Sequence, residues 1–297
     1  MGKRADARSV LAEQLSRLKG VHLTRFCPRR RCFLVGEKGR SVAGLTPRIA
    51  TTLCRVSKHR RRTCIHCSTI VTSKPTSLAS NALPVSTLRP NVYAASHLPA
   101  GTCSHSASPM EHGRTIDRQL TKYANVGARQ FVEQDNNIDP CVRQLLHYIE
   151  RVKQWRIVAC QLPLHSTSMR YATAIDIVCT DYATSSEVHV IEVKSTCSHV
   201  HAYEPAYIHS NTVVRRGATT GMPRSRYAQH QLQLWAMTDV LEHECGLTVT
   251  SASVVRTCPR CVVVYPLHSF FSERAQRLRP LFARAASAGG GGVKQRR

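Results

Sequence analysis

The stretch TAIDIVCTDYATSSEVHVIEVKST, residues 173–196, decides the fold of this chain. Two apolar runs, AIDIV and VHVIEVK, flank a segment rich in turn-forming residues, a pattern that predicts a β-hairpin. Asp176 interrupts the first run, and Glu192 and Lys194 close the second. Because side chains alternate between the two faces of a strand, Glu192 and Lys194 share a face. If Asp176 shares that face, two carboxylates and an ammonium meet at one end of the hairpin.

These three groups predict a metal site. Carboxylates beside apolar neighbours are costly unless something pairs them. Two carboxylates that repel each other suit a hard divalent cation with oxygen ligands, such as Mg²⁺. The lysine can then orient a water molecule or stabilise charge on an attacked phosphate. The alternative is a surface hairpin in which Glu192 and Lys194 form an ion pair, but that leaves Asp176 as a lone acid within an apolar strand.

The arrangement of these groups resembles a known family of nucleases. An Asp, fifteen intervening residues and then Glu-x-Lys resemble the PD-(D/E)XK nuclease superfamily, and ATAIDIV followed by HVIEVKST is similar to its RecB-type branch, which includes mitochondrial genome maintenance exonucleases. A later helix of that branch carries Gln-apolar-x-x-aromatic, and residues 231–235 here are QLQLW, with Trp where Tyr is usual. An upstream helix carries Gly-x-x-x-His, and here Gly113 is followed by Asp117 in place of the histidine. The resemblance covers residues 111–267.

The resemblance implies a restriction-endonuclease-like core, in which a central mixed sheet is flanked by helices. It also implies a deoxyribonuclease, either an exonuclease or a DNA end-processing enzyme, that hydrolyses phosphodiester bonds with water activated by Mg²⁺ or Mn²⁺. The implied metal ligands are Asp117, Asp176, Glu192 and the Val193 carbonyl, and the implied catalytic residues are Asp176, Glu192, Lys194 and Gln231. The alternative function is a nuclease fold with weak or no activity that only binds nucleic acid.

The order of the other elements predicts an α/β fold. Periodicity and capping residues predict helices over 115–131, 139–154, 225–244 and 272–286, and apolar β-type runs predict strands over 155–164, 249–256 and 261–265. Together with the hairpin, this order gives a mixed sheet flanked by helices. On the helix 225–244, Gln231 shares a face with Tyr227 and Trp235, whereas Gln229 and Gln233 are interpreted as surface residues.

The charge of the chain predicts an anionic partner. Its formal net charge is +24, a surplus that favours nucleic acid, most simply DNA, through attraction to phosphates. Residues 197–224 hold no clear element, and a loop of that length is often functional. We interpret it as a flap over DNA, with a surface insertion as the alternative. The expected contacts to nucleic acid are Arg215, Arg216, Arg224, Arg226 and Tyr227.

The N-terminal region differs in composition from the rest. Residues 1–109 hold 19 Lys and Arg against three acids, while residues 110–297 hold 23 against 15. The composition predicts a largely disordered basic arm. It is typical both of an organelle transit peptide and of a nucleic-acid-binding or nuclear-import segment, so the intracellular compartment, nucleus or mitochondrion, stays open. We expect a nuclease-like domain over 110–286 and a flexible basic tail over 287–297.

The cysteines indicate a reducing compartment. Their number, 13, is odd and the chain is not short, so a secreted disulfide framework is not expected. Cys27 with Cys32, and Cys64 with Cys67, are weak zinc candidates because no second pair lies at an ordinary spacing. Cys258-Pro259-Arg260-Cys261 is a better half site, but it lies between two strand-like runs and is interpreted as a hairpin turn. No run of 18 apolar residues occurs, so a membrane span is not expected.

Overall fold

The computed structural model describes residues 109–134, 137–181, 187–195 and 221–280, together with the short strands 24–27, 32–35, 40–42 and 91–93. The predicted flap is therefore described only at its last residues. The predicted C-terminal tail lies outside the described residues, as does most of the predicted arm.

The described elements comprise helices, strands and two short turns of other helical types. The strands are β1 (Thr24–Cys27), β2 (Cys32–Val35), β3 (Arg40–Val42), β4 (Asn91–Tyr93), β5 (Trp155–Ser166), β6 (Tyr171–Asp181), β7 (Glu187–Ser195), β8 (Thr248–Thr257) and β9 (Val262–Pro266). The α-helices are α1 (Pro109–Val126), α2 (Ala128–Gln134), α3 (Pro140–His147), α4 (Arg226–His243) and α5 (Ser269–Ala275). A π-helical turn follows α3 (Tyr148–Val152), and a 3₁₀ turn follows α5 (Gln276–Leu278).

A mixed sheet forms the centre of the fold. Its described strands lie in the order β4-β9-β8-β7-β6-β5. Of these neighbours, β7 and β8 are parallel and the other pairs are antiparallel. A parallel pair needs a crossover, and α4 lies in the connection between β7 and β8. The predicted α/β fold with a mixed sheet is thus confirmed, while β1, β2 and β3 form a separate small antiparallel sheet.

Helices cover both faces of the sheet because its strands are apolar on both sides. Val254 and Val255, neighbours on β8, belong to opposite cores. On one face, α1, α2 and α3 contribute Ile116, Leu120, Phe131, Val142 and Leu145. On the other face, α4 and α5 contribute Leu234, Met237, Val240, Phe270 and Phe271.

The helix boundaries follow from local chemistry. Asp139 caps α3, since its Oδ1 accepts the Cys141 N–H at 2.8 Å with Pro140 at the first position of the helix. Ser225 caps α4 by accepting the Ala228 N–H at 3.1 Å. Both starts agree with the sequence. Gly127, with φ +80°, ends α1, so the helix predicted over 115–131 is in fact two helices.

Two further predictions need correction. The last helix begins at Ser269 rather than at 272, and α5 gives way to the 3₁₀ turn after Ala275. Strand β4 lies inside the predicted arm, yet it pairs with β9 at the sheet edge. Its Tyr93 ring lies 4.9 Å from the ring of Tyr148. The sheet therefore extends upstream of the boundary predicted at residue 110.

Among the described helices, none combines the length and the apolar character needed to cross a bilayer.

Candidate active site

A fork between β6 and β7 creates a notch in the sheet. The two strands pair from Cys179–His189 to Ile177–Ile191 and no further. Beyond that point β6 remains paired with β5, and β7 remains paired with β8. Asp176 and Glu192 are the first residues past the fork on its two sides. Their predicted approach is a consequence of this separation of two strands that pair with each other over only three residues.

Asp176 is held by donors from both neighbouring strands. Its Oδ2 accepts the Val193 N–H at 2.8 Å, which satisfies a backbone donor that the fork leaves without a ladder partner. Its Oδ1 accepts from Gln161 Nε2 at 3.1 Å. Gln161 has φ +50°, in the left-handed region that non-glycine residues rarely adopt. The carboxylate is therefore fixed in orientation before anything binds.

Glu192 is 1% exposed and faces α4. Its Oε1 accepts from Lys194 Nζ and from Gln233 Nε2, the latter at 2.8 Å. Its Oε2 is buried and has no hydrogen-bond partner among the described residues. A buried polar atom left unsatisfied costs about 1–3 kcal/mol. A cation at this oxygen would remove that cost, so the residues present fit a metal ion.

Asp117 approaches the same notch from α1, and the carboxyl groups influence one another. Burial, and then the charge of Asp176, raise the pKa of Asp117 to about 6, with Lys194 partly opposing the rise. Burial and Asp176 likewise raise the pKa of Glu192 to about 8, against the opposing effect of Lys194. Such mutual repulsion is what a divalent cation relieves.

Lys194 keeps its charge within this group. Burial alone would lower the pKa of Lys194, but Glu192 and Asp176 outweigh burial and the pKa is raised. The structure thus brings Asp176, Glu192, Lys194 and Asp117 close enough for their charges to act on one another. The Val193 N–H bonds to Asp176, whereas the role of the Val193 carbonyl as a ligand stays a prediction.

The glutamine prediction was wrong by two residues. Gln231 donates to the Pro266 carbonyl at 3.1 Å and accepts the His268 N–H at 3.0 Å, so it connects α4 to the end of β9 and to the segment that follows. Gln233, interpreted as a surface residue, is 8% exposed and bonds Glu192. Because α4 is buried on nearly every side, its apolar pattern does not distinguish the face that meets β7.

The predicted nucleic-acid contacts divide into three groups. Arg224 is half-buried and Arg226 exposed, on either side of the cap of α4. Arg215 and Arg216 lie outside the described residues. Tyr227 is 2% exposed, with its ring 5.5 Å from that of Tyr265 and 5.7 Å from that of Phe271. Tyr227 is therefore a core residue, and its prediction as a contact was wrong.

A basic flank beside the notch escaped sequence reasoning. Arg256 on β8 is the register partner of Lys194 and is 8% exposed. His230 on α4 lies within the influence of Lys194, Arg226 and Arg256. Burial, followed by these charges, lowers the pKa of His230 to about 3. A signal for Arg256 did exist, because it is a lone charge within the strand run TVTSASVVRT, as Asp176 is within its own strand.

No family model and no curated protein matches the chain. What the site can do therefore follows from its own donors. Among the described residues, oxygen ligands from three carboxyl groups suit a hard cation such as Mg²⁺ or Mn²⁺. The ammonium and the arginines on one flank suit a phosphate beside that cation.

Proposed function

We propose that this chain is a metal-dependent deoxyribonuclease of the PD-(D/E)XK type, close to the RecB branch, that hydrolyses phosphodiester bonds at DNA ends. One observation carries the proposal: Asp117, Asp176 and Glu192 meet Lys194 at the fork, and one oxygen of Glu192 is buried without a partner. The mixed sheet, the parallel β7–β8 pair and the cover of α1 on one face support a restriction-endonuclease-like core.

The carboxyl groups would hold one or two Mg²⁺ or Mn²⁺ ions, which when bound supply a nucleophilic water at neutral pH and shield phosphate charge. Gln161 and the Val193 N–H fix the Asp176 carboxylate, and Gln233 fixes Glu192. These donors act by positioning the ligands, because ligands that are already oriented need no reorganisation when the ion arrives.

Lys194 acts as a charge and a hydrogen-bond donor. Since its pKa is raised, it remains an ammonium at neutral pH and is not suited to accept a proton. Its Nζ lies beside Glu192 Oε1, where it can donate to a phosphate oxygen or to the attacking water. It thereby stabilises the negative charge that builds up on the phosphate as the bond breaks.

DNA is the proposed substrate because of the charge around the notch. Arg256 and Arg226 lie on one flank, where they can bind phosphates next to the one being cleaved. The net charge of +24 adds long-range attraction to any nucleic acid. A nuclease fold that only binds nucleic acid is the second candidate, and the contact of Lys194 Nζ with Glu192 Oε1 favours it, because that contact occupies an oxygen that a metal ion would need.

The test compares two identical substitutions on one strand. Glu192→Gln should reduce Mg²⁺- or Mn²⁺-dependent degradation of linear DNA by at least about 100-fold. Glu187→Gln, at the other end of β7 where Glu187 meets Thr250, should leave degradation unchanged. DNA binding and cleavage are measured on the wild type and on both variants. A wild-type protein that binds DNA but cuts neither linear nor circular DNA would favour the function of binding alone. If the Glu192→Gln variant cleaved DNA as fast as the Glu187→Gln variant, the carboxylate notch could not be the active site.

A further inference from the structure

The turn between β8 and β9 brings two thiols together. Within Cys258-Pro259-Arg260-Cys261, the Cys258 N–H donates to the Cys261 carbonyl at 2.9 Å, so the predicted hairpin turn is confirmed. The two Sγ atoms lie 3.1 Å apart. A disulfide bond requires them to approach by only about 1 Å, which rotation of the side chains can supply while the strands stay in place. The turn therefore holds the two thiols in position for a disulfide.

The two thiols differ in exposure. Cys258 is 2% exposed, whereas Cys261 is partly exposed. A small reagent in the solvent therefore meets Cys261 first, with the sulfur of Cys258 directly beside it. An accessible cysteine with a second cysteine poised to resolve its oxidised form is the usual arrangement of a redox-sensing thiol pair.

Hydrogen bonds favour a negative charge on this pair. The Cys261 N–H donates to Cys258 Sγ at 3.2 Å, and a donor aimed at sulfur favours the thiolate. The contact with Cys258, followed by burial, raises the pKa of the Cys261 thiol. The first proton to leave the pair therefore comes from Cys258, and the remaining proton lies between the two sulfurs. Groups this close titrate as a pair, so the shared negative charge can react at the exposed sulfur.

The surroundings of the turn favour thiol chemistry over metal binding. Among the described residues, no ligand atom of another His, Cys, Asp or Glu joins the two sulfurs in a compact group, and a structural zinc site needs four ligands. Helix α3 braces the turn from one side. The Thr257 hydroxyl donates to the Cys141 carbonyl at 2.8 Å, and Gln144 Nε2 donates to the Pro259 carbonyl at 3.5 Å. These contacts fix the backbone that carries the two thiols.

We propose that Cys258 and Cys261 form a reversible redox site whose oxidant is a hydroperoxide. Cys261 Sγ attacks the O–O bond, so that an S–O bond forms and the other oxygen leaves with the shared proton as water or an alcohol. Cys258 Sγ then attacks Cys261 Sγ. The S–S bond forms, the S–O bond breaks, and the departing hydroxide is protonated to water. In total, two thiols are oxidised to one disulfide and one hydroperoxide is reduced.

This site is separate from the carboxylate notch. The disulfide would join the ends of β8 and β9 covalently, two residues beyond Arg256 on the flank of the notch. Disulfides in a reducing compartment, which the sequence predicts for this chain, are usually transient and redox-sensing. The proposal stands whether or not the chain cleaves DNA.

The first experiment detects the disulfide in the full wild-type chain. Trypsin cuts after Arg256, Arg260 and Arg274, so it places the two cysteines on separate peptides, 257–260 and 261–274. The protein is freed of reductant, treated with hydrogen peroxide and blocked with N-ethylmaleimide before digestion. Mass spectrometry should find the two peptides joined, about 2 Da below their summed mass, and dithiothreitol added before blocking should separate them. The absence of joined peptides after peroxide treatment would overturn the proposal.

The second experiment compares this pair with another partly exposed thiol, Cys245. Burial, and then the charge of Glu244, raise the pKa of Cys245 to about 11. Peroxide should therefore consume Cys261 at least about tenfold faster than Cys245. Equal rates for Cys245 and Cys261, or a pair that reacts only after a strong zinc chelator is added, would each overturn the proposal.

Two serine variants test the order of the steps. In Cys258→Ser the resolving sulfur is absent, so Cys261 should stop at the sulfenic acid and be labelled by dimedone, which should not label it in the wild type. The matched variant Cys245→Ser should form the Cys258–Cys261 disulfide as the wild type does. Failure of dimedone to label Cys261 in peroxide-treated Cys258→Ser, while Cys245→Ser still forms the disulfide, would contradict the attack by Cys261.

Discussion

Gln161 reaches Asp176 from a left-handed backbone conformation. The residue has φ +50°, and its Nε2 lies 3.1 Å from Asp176 Oδ1. A non-glycine residue in this conformation costs of order 1 kcal/mol and persists where the surroundings enforce it. The strain thus coincides with the hydrogen bond that orients the central carboxylate of the notch.

Replacing Gln161 with glycine should separate stability from activity. Gln161→Gly relieves the strained backbone while removing the amide, so the free energy of unfolding should change by less than about 1 kcal/mol. Metal-dependent cleavage should fall by about tenfold, because Asp176 loses its outer hydrogen bond. Urea unfolding and initial rates of DNA degradation measure the two effects.

Arg170 provides the matched control. It also has a positive φ, +52°, but it is exposed in the β5–β6 turn. Arg170→Gly should stabilise the protein slightly and leave cleavage unchanged. A similar loss of cleavage in both variants would mean that glycine loosens the β5–β6 hairpin and that the amide of Gln161 has no special role.

Two of the three glutamines of α4, Gln231 and Gln233, should give opposite phenotypes. Gln233→Met preserves volume but removes the donor to Glu192, so cleavage should fall about 10- to 100-fold with little change in stability. Gln231→Met leaves the Pro266 carbonyl and the His268 N–H without their partner, and should cost roughly 2 kcal/mol of stability. Thermal unfolding and cleavage rates, measured on both variants, test this reversal. Equal effects on cleavage would contradict the assignment of Gln233 to the site.

Metal affinity should rise with pH. The pKa of Asp117 is about 6 and that of Glu192 about 8, so both hold protons at low pH that a metal must displace. Titration calorimetry with Mn²⁺ in buffers of different ionisation enthalpy should detect nearly two protons released below about pH 6. The number should be about one between pH 6 and 8 and should approach zero above pH 8. Asp117→Asn should remove only the proton that is released near pH 6. Metal binding that does not depend on pH would contradict the raised pKa values of Asp117 and Glu192.

Stability without metal should fall between pH 6.5 and 8. In this range folded Glu192 retains a proton that the unfolded chain, with an ordinary carboxyl pKa of 4.5, has already released. Burial lowers the pKa of His230 from its ordinary value of 6.5 to about 3. Unfolded and folded His230 therefore differ in protonation only below about pH 6.5, where His230 makes stability rise with pH, so it does not affect the range from pH 6.5 to 8. Urea unfolding at pH 6.5 and 8 measures the decline, and Glu192→Gln should abolish it. A decline of equal size in the variant would place its origin elsewhere.

The sequence predicted the hairpin, the charged residues on its two strands and the order of the elements downstream of residue 110. Asp176 was accessible because a lone charge within an apolar strand has few structural explanations, whereas Asp117, on a helix, was suggested only by the resemblance to the nuclease family. Gln233 was missed because α4 is buried on almost every side, which removes the periodic signal that identifies a face. The left-handed conformation of Gln161 leaves no trace in the run QLPL. Strand β4 was missed because a strand of three residues in a region without periodicity looks like any other irregular segment.

The position of β4 limits where the chain can be shortened. It covers β9 at one end of the sheet. A fragment starting at Met110 would lack β4 and would leave the backbone N–H and C=O groups of β9 open to other chains. Uncovered strands of this kind favour intermolecular pairing and aggregation. A soluble recombinant version should therefore begin upstream of Asn91, and precipitation of the shorter fragment would reflect this bare edge rather than any loss of the carboxylate notch.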